Sequence, residues 1–237
     1  MPSTILIVDD EAGWRSLLRR ALEPEGYQIE TAADGDEALA IAWTTPPSLI
    51  ILDHHMPGMD GTEVCGRLRR HKRSHDIPII MLTVRQDTTS KIDALETGAD
   101  DYVTKPCDVE ELRARVRARL RRPARGGPPA EAGDVRLDPT RNAVRVGEQR
   151  LPLTRREFDL LELLLRESPH LVLREQIMRE VWGTSAPADT NIVDVYIRRL
   201  RRKLQEIDCP GYIRTMWRLG YVYEPQGAAA PAEASPS

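Results

Sequence analysis

The 237-residue chain has no apolar run long enough to cross a bilayer, since a membrane-spanning helix needs about 20 such residues. Its first residues, MPSTILIVDDE, turn acidic after only five apolar residues. An export signal does not show this change. The two absences argue against a membrane-spanning or exported protein, and we expect a cytoplasmic one.

Cysteine and lysine are also scarce. Cys65, Cys107 and Cys209 lie far apart and show no metal-ligand spacing, so reduced thiols in a cytosol fit better than a disulfide framework. Lysine accounts for four of the 34 basic residues. We interpret this arginine excess as genomic composition and give it no functional weight.

What is present suits a two-domain globular protein, because 41% of the residues are hydrophobic and 30% are charged. A chain of this length can bury two modest cores. The net charge is −3, but acidic residues are in excess up to residue 120 and basic residues are in excess after it. The two halves therefore have different partners.

The first half alternates short aliphatic runs with stretches of helical period. Strands are predicted at 4–8, 49–52 and 77–82, and weaker ones near 28–32 and at 101–104. With a last helix at about 109–122, five strands and five helices alternate, which is typical of a doubly wound α/β fold with a five-stranded parallel sheet. We expect this domain to span residues 1–121.

The second half has a different pattern. Residues 122–133 are rich in Pro, Gly and Ala and predict a semi-flexible linker. Short alternating strands follow, then helices in TRREFDLLELLLRE, VLREQIMREVWG and TNIVDVYIRRLRRKLQ, and a closing hairpin in YIRTMWRLGYVYE. This order predicts an α+β winged helix-turn-helix domain over 134–225, with a disordered tail over 226–237.

Polar side chains collect at the strand ends of the first domain. Asp9, Asp10 and Asp53 end the first and third strands, which meet at one edge of a parallel sheet. Like charges this close need a neutralising cation, and hard oxygen ligands suit Mg²⁺. Thr83 and Lys105 end neighbouring strands and suit a phosphoryl group. The pattern therefore predicts phosphoryl transfer.

With LDHHMPGMDG, MLT and GADDYVTKP, residues 4–122 resemble the flavodoxin-like receiver domain of two-component response regulators. The resemblance implies that Asp53 is the phosphoacceptor, taking its phosphoryl group from a histidine of a sensor kinase. Mg²⁺ or Mn²⁺ would be bound by Asp10, Asp53 and the backbone carbonyl of His55, with Asp9 acting through water.

The same resemblance assigns three further roles. Lys105 would pair with the phosphoryl oxygens and precede a cis bond to Pro106, while Thr83 and Tyr102 would form the switch pair. Such a receiver assists its own phosphorylation and dephosphorylation, so we expect no turnover enzyme. His55 departs from the family pattern two places after the phosphoacceptor and, with Arg85, would flank the path of attacking water, which leaves the phosphate lifetime open. Val84 and Cys107 also depart from the family pattern and would tune access to the site.

Other interpretations of this half are weaker. A zinc site on His54, His55 and Cys65 is disfavoured, because adjacent strand residues point to opposite faces. Haloacid-dehalogenase-like phosphatases need a second acid where this chain has His55. A flavodoxin-like cofactor binder needs a phosphate-cradling loop, and the acidic DDE after the first strand would repel phosphate.

Residues 134–225 resemble the effector domain of the OmpR/PhoB subfamily. The basic density of the helix near 190–205 suits phosphate neutralisation and insertion into the major groove; a solvated helix face is the alternative. The resemblance assigns a set of DNA contacts in this helix and in the wing: Asn191, Tyr196, Arg198, Arg199, Arg201, Arg202, Trp217 and Arg218. Asp194 is either structural or DNA-facing. Family members contact RNA polymerase through the loop at 183–189.

Receivers of this subfamily dimerise through their fourth helix, fifth strand and fifth helix. Lys91 with Glu111, and Asp101 with Arg115, match the intermolecular pairs, although Glu111 and Arg115 could equally pair within one helix. We hypothesise that phosphorylated Asp53 favours a dimer that binds promoter DNA at paired half-sites. The alternatives are a constitutive DNA-binding factor whose receiver only dimerises, and a receiver fused to an RNA-binding or protein-binding domain.

Overall fold

The structure is a computed structural model that describes residues 2–84, 97–120, 130–183 and 191–226. Its N-terminal half contains a five-stranded sheet in which every neighbouring pair is parallel, with the order β2-β1-β3-β4-β5. The strands are β1 (Thr4–Val8), β2 (Gln28–Ala32), β3 (Leu49–Asp53), β4 (Ile79–Thr83) and β5 (Asp101–Thr104). This order is that of flavodoxin-like folds and confirms the predicted fold class.

Helices cover both faces of this sheet: α1 (Ala12–Leu22), α2 (Gly35–Thr44), α3 (Gly61–Arg70) and α4 (Val109–Leu120). The side chains of Asp34 and Asp60 cap α2 and α3 by accepting hydrogen bonds from the backbone N–H three residues on, which satisfies donors that a helix start leaves open. Every residue of β3 and β4 is buried. The helix predicted between β4 and β5 falls at residues 85–96, outside the described ranges.

The C-terminal half opens with an antiparallel sheet of β6 (Glu131–Ala132), β7 (Val135–Asp138), β8 (Ala143–Val146) and β9 (Gln149–Pro152). Strand β6 lies inside the range 122–133 that was expected to be linker. Its two residues form a strand there by pairing with β7. Helix α5 (Arg155–Glu167) then begins with a capping box in which Thr154 and Glu157 bond each other's backbone N–H.

The rest of this half is the predicted winged helix-turn-helix. Strand β10 (Val172–Leu173) leads into α6 (Arg174–Ile177), whose last turn widens to a π-helix at Met178–Trp182. Helix α7 (Ile192–Gln205) follows, and the hairpin of β11 (Tyr212–Met216) and β12 (Gly220–Glu224) closes a sheet of order β10-β12-β11. Within the described ranges, no helix has the length and apolar character needed to span a membrane.

The two halves pack against each other. The hydroxyl of Tyr196 on α7 donates a hydrogen bond of 2.8 Å to the carbonyl of Ala99, just before β5. The side-chain amide of Asn142 donates one of 3.2 Å to Asp76. We call this packing the closed arrangement. It places part of the helix that was predicted to read DNA against the N-terminal half.

Gly61 gives a test of how tightly the end of β3 is held. A Cβ at this position would lie 2.2 Å from the carbonyl oxygen of Asp53 and 3.0 Å from the Cα of His54, and these backbone atoms have little freedom to move. We expect Gly61→Ala to lower the free energy of unfolding by about 1–3 kcal/mol, measured by urea denaturation. Gly13→Ala is the control, since a Cβ at Gly13 meets nothing within 4 Å. Equal stability of Gly61→Ala and wild type would contradict this packing.

Candidate functional site

Three carboxylates meet at the C-terminal edge of the parallel sheet. Asp9 and Asp10 follow β1, and Asp53 ends β3, its neighbour in the sheet. One oxygen from each carboxylate lies within 4.8 Å of the other two. Asp9 and Asp53 are buried, whereas Asp10 is exposed. The structure thus brings together the three acids that the sequence placed at strand ends.

Lys105 reaches into this acidic cluster from the end of β5. Its Nζ atom is 2.7 Å from Asp9 Oδ2 and 2.8 Å from Asp53 Oδ1, and the side chain is almost fully buried. The peptide bond from Lys105 to Pro106 is cis, as the resemblance implied. An ammonium group therefore bridges two of the three carboxylates.

The ionisation of this cluster follows from burial and charge. Burial raises the pKa of Asp53, the charges of Asp9 and Asp10 raise it further, and contact with Lys105 opposes the rise. Burial alone would lower the pKa of Lys105, but its hydrogen bonds to Asp53 and Asp9 raise it. The ammonium form is thereby favoured, while the carboxylates repel one another.

The donors fit a small hard cation. Three carboxylates around one ammonium leave an excess of negative charge, and a divalent cation would relieve it. Mg²⁺ prefers oxygen ligands, binds through one or two carboxylates and keeps several waters; the exposed side of Asp10 leaves room for them. Mn²⁺ accepts the same donors. His55, whose carbonyl was predicted to be a further ligand, is exposed two residues after Asp53.

Thr83 and Tyr102 lie on the strands next to Asp53. In the β3–β4 register Asp53 pairs with Leu82, so Thr83 stands one residue further towards the site. Tyr102 lies in β5 opposite Met81 and belongs to the buried core, with 4% of its surface exposed. Of the residues that depart from the family pattern, Val84 is 58% exposed and Cys107 is half-buried, while Arg85 lies outside the described residues.

Two residues of α1 that the sequence analysis missed also serve this site. The Nη1 atom of Arg15 donates to the carbonyls of Asp9 and Asp10 at 2.6 and 2.9 Å, which fixes the loop after β1. The ring of Trp14 lies with its centroid 5.0 Å from Lys105 Nζ, a cation–π distance. Their position in the first turn of α1, directly after the acidic pair, could have identified them from the sequence.

The predicted DNA contacts divide into two groups. Five of them are exposed: Asn191, Arg198, Arg202, Trp217 and Arg218. Arg218 has a φ of 61°, a left-handed conformation that glycine adopts more freely, as expected for its place in the wing. Arg201 is half-buried and donates to Ile213 and Thr215 of the hairpin, so it holds the wing to α7.

Tyr196 and Arg199 were predicted to face DNA, but the structure buries both. The ring of Tyr196 packs edge-on against Trp182 at 5.2 Å while its hydroxyl bonds Ala99. The guanidinium of Arg199 lies 4.8 Å above the Tyr196 ring. In the closed arrangement neither side chain is accessible to DNA, because Tyr196 is 0% and Arg199 7% exposed.

Glu157 on α5 explains the orientation of Arg199. Its carboxylate is fully buried, 2.8 Å from Arg199 and 2.7 Å from Lys203. Burial alone would raise the pKa of Glu157, but these two charges outweigh it and lower the pKa to about 2. Two basic residues of α7 are therefore neutralised within the protein. Asp194 is likewise structural here, since it accepts hydrogen bonds from Arg174 and Tyr221.

Three of the residues predicted to pair across a dimer, Asp101, Glu111 and Arg115, have ion-pair partners within the chain. Arg115 is buried and lies 3.0 Å from Asp101 and 2.6 Å from Glu111. A second arginine, Arg119, lies 2.8 Å from Asp101. Within the single chain Asp101 and Arg115 therefore pair with each other, and their pairing across a dimer stays a prediction. Lys91 lies outside the described residues.

Each half of the chain matches a known protein family. Residues 5–117 match the family described as response regulator receiver domain, and residues 147–223 match the one described as transcriptional regulatory protein, C terminal. The response regulator MprA of Mycobacterium sp. (strain KMS) is 42% identical over 226 residues, covering 94% of this chain and 97% of that protein. MprA of Mycobacterium avium (strain 104) is 42% identical over 223 residues, covering 92% and 96%.

Two solved structures are also similar to this chain. A mutant of RitR matches with a TM-score of 0.77 and 31% identity, covering 94% of this chain and 99% of that one. A putative response regulator from Chloroflexus aurantiacus matches with a TM-score of 0.50 and 40% identity, covering 52% of this chain and 100% of that one. The first likeness extends over both halves, and the second over the length of one domain.

The ion pairs of Glu157 predict a pH-dependent stability. Because the folded pKa is depressed from 4.5 to about 2, the stabilisation is complete above pH 4.5 and is lost as the pH falls towards 2. We expect Glu157→Gln to lower the free energy of unfolding by about 3 kcal/mol at pH 7, and the difference from wild type to narrow at pH 3.5. Urea denaturation at both pH values measures this.

The control for this experiment is Glu206→Gln, at an exposed position, which should match wild type at both pH values. A deficit for Glu157→Gln that stayed constant between pH 7 and pH 3.5 would contradict an ionised Glu157 in the folded protein.

Proposed function

The chain belongs to the response-regulator family that joins a receiver domain to a C-terminal transcriptional regulatory domain, and we propose that Asp53 is its phosphoacceptor. It is a two-component response regulator that regulates transcription. The observation that carries the proposal is the position of Asp53, buried beside Asp9 and Asp10 and 2.8 Å from the Lys105 ammonium. A strand-end carboxylate with a fixed cation beside it is arranged to take up a phosphoryl group.

In the proposed reaction a sensor histidine kinase supplies the phosphoryl group. A carboxylate oxygen of Asp53 forms a bond to phosphorus while the bond from phosphorus to the kinase histidine nitrogen breaks. Lys105 then faces the phosphoryl oxygens, and Thr83 offers its hydroxyl from the adjacent strand. Mg²⁺ or Mn²⁺, held by Asp10, Asp53 and the His55 carbonyl and through water by Asp9, would neutralise charge on those oxygens.

We propose that phosphorylation is coupled to DNA binding through the start of β5. Tyr102, the switch residue, is three positions from Ala99, whose carbonyl accepts the hydrogen bond of Tyr196. A rearrangement of Thr83 and Tyr102 would move this segment and weaken the closed arrangement. The population would then shift towards molecules in which the receiver no longer covers the face of α7 that carries Tyr196, so that this face can approach DNA.

Assembly on DNA is the third part of the proposal. A phosphorylated receiver would dimerise through the face that includes β5 and α4, with Asp101, Glu111 and Arg115 exchanging their internal contacts for contacts with Lys91 and with one another across the dimer. Two effector domains on linkers would gain affinity for paired half-sites by avidity. The loop at 183–189, proposed to contact RNA polymerase, lies outside the described residues apart from Gly183.

Phosphorylation itself can be tested with acetyl phosphate and Mg²⁺. The wild type should show an acid-labile mobility shift on a phosphate-affinity gel, and Asp53→Ala should show none. Asp36→Ala, which removes an exposed aspartate, is the matched control and should shift like wild type. An undiminished shift in Asp53→Ala would overturn the assignment, and a shift with no effect on DNA affinity would favour a constitutive DNA-binding factor.

The closed arrangement can be tested with Tyr196→Phe, which removes the hydroxyl and keeps the ring. A hydrogen bond of this kind contributes about 1 kcal/mol, so the unphosphorylated variant should bind duplex DNA about fivefold more tightly than wild type. Fluorescence anisotropy with DNA obtained by in vitro selection measures this affinity. After phosphorylation the gain should vanish.

Tyr27→Phe in the receiver, at a half-buried tyrosine, is the control for the loss of a phenol hydroxyl and should bind like wild type. If Tyr196→Phe bound DNA no more tightly than wild type before phosphorylation, the contact with Ala99 would not restrain DNA binding.

A further inference from the structure

A cleft of about 250 Å³ lies between the two domains. The receiver lines it with Pro78, Asp100 and Arg119. The effector domain lines it with the start of α5, including Arg155, and with Trp182 at the end of the π-helical turn. None of these residues belongs to the acidic site around Asp53.

Three buried donors of the lining have no hydrogen-bond partner among the residues that the structure describes: Arg119 Nη1, Arg155 Nη2 and Trp182 Nε1. Arg119 and Trp182 are 7% and 2% exposed. A buried donor without an acceptor is destabilising, and native structures rarely leave one so. Three of them on one cleft indicate that an acceptor binds there.

Three of the four acidic residues that line the cleft are engaged in ion pairs, and the fourth, Glu162, is half-buried. Asp100 lies 2.7 Å from Arg69, Asp159 accepts from Arg155 Nε at 3.0 Å, and Glu180 lies 2.7 Å from Arg166. Arg155 uses its Nε atom on Asp159, and Arg119 uses its Nε and Nη2 atoms on Asp101, which leaves Arg155 Nη2 and Arg119 Nη1 without a partner among the described residues. The buried lining atoms without a partner there are therefore N–H donors, two of them on permanently charged guanidinium groups.

We propose that this interdomain cleft binds a tetrahedral oxyanion of the phosphate type. Guanidinium N–H groups match the oxygens of such anions in geometry and charge, and an indole N–H adds a third donor. An oxyanion presents lone pairs on divergent oxygens and can accept from all three donors. The cleft volume of about 250 Å³ accommodates the ion together with water.

The three donors come from both domains, so the site depends on how the domains pack. Arg119 belongs to α4 of the receiver, whereas Arg155 and Trp182 belong to the effector domain, so the complete site exists only in the closed arrangement. A ligand that binds one arrangement better stabilises it. Trp182 also packs edge-on against Tyr196. The bound anion would thus hold α7, the predicted recognition helix, against the receiver. It would weaken DNA binding independently of Asp53.

The test is a titration of the unphosphorylated full chain with inorganic phosphate at constant ionic strength, followed through the Trp182 indole N–H signal by NMR and, for all variants, by calorimetry. Trp182→Phe removes one donor and keeps a ring, and Arg119→Lys keeps the charge beside Asp101 while losing Nη1. Each should weaken phosphate binding about tenfold. Arg145→Gln, at an exposed arginine of β8, should bind like wild type.

A second arm measures DNA affinity. Phosphate added at constant ionic strength should weaken DNA binding by wild type more than by Arg119→Lys, and sulfate should act like phosphate whereas chloride should not. If Trp182→Phe fails to fold by circular dichroism, Arg155→Gln replaces it.

Equal phosphate affinity in wild type, Arg119→Lys and Trp182→Phe would overturn the proposal, leaving an adventitious ion only. If Trp182→Phe weakened DNA binding while neither variant changed phosphate binding, the donor would serve the DNA backbone and the cleft site would likewise be rejected. Loss of the acid-labile shift in wild type bears on Asp53 alone, so failure of the phosphoacceptor assignment is distinguishable from failure of the cleft site.

Discussion

The ammonium group of Lys105, held between the buried carboxylates of Asp9 and Asp53 at 2.7 and 2.8 Å, is the interaction on which the receiver site depends. Removing one partner from a buried ion pair costs about 3–5 kcal/mol, because the remaining charge stays without compensation. The pair forms because β1 and β3 are parallel neighbours whose ends meet at one edge, and because β5 ends at the same edge. Asp10 adds a third carboxylate, so the site keeps an excess of negative charge that suits a metal ion and a phosphoryl group together.

A second charged centre, at the start of β5, links this site to the effector domain. Asp100 accepts from Arg69 and from the backbone N–H of Ile79, and burial raises its pKa despite these contacts. Asp101 binds two arginines of α4. The carbonyl of Ala99 between these elements accepts the Tyr196 hydroxyl. A movement of β5 is therefore transmitted to α7 through the hydrogen bond between Tyr196 and Ala99 and the packing around it. The interdomain cleft, which Asp100 and Trp182 help to line, adjoins this contact.

Local sequence pattern and strand order were enough to predict the receiver strands and the carboxylates that meet at their ends. Strand β1 at 4–8 and strand β5 at 101–104 have the predicted bounds, because alternating or continuous apolar runs reveal strands directly. The meeting of Asp9, Asp10 and Asp53 followed from the parallel sheet alone. These features needed no knowledge of how the two domains pack.

The predictions that differ from the structure depend on packing between elements distant in the chain. Helical spacing shows that Tyr196 and Arg199 share a face of α7, but it does not show that Glu157 and Ala99 cover that face. Strand β6 was hidden because two residues in a Pro- and Gly-rich stretch carry no periodic signal. For the same reason the donors of Arg119 and Trp182 could not be brought together from sequence, since they lie in different domains.

The most direct test of the central claim is hydroxyl-radical footprinting of the full chain, free of DNA, with and without phosphorylation of Asp53. The account predicts that the oxidation rate of Tyr196 rises several-fold on phosphorylation, while Tyr212, already 58% exposed, keeps its rate. If Tyr196 stayed equally protected in a protein shown by mass to carry the phosphoryl group, the coupling between the acidic site and the recognition helix would be contradicted.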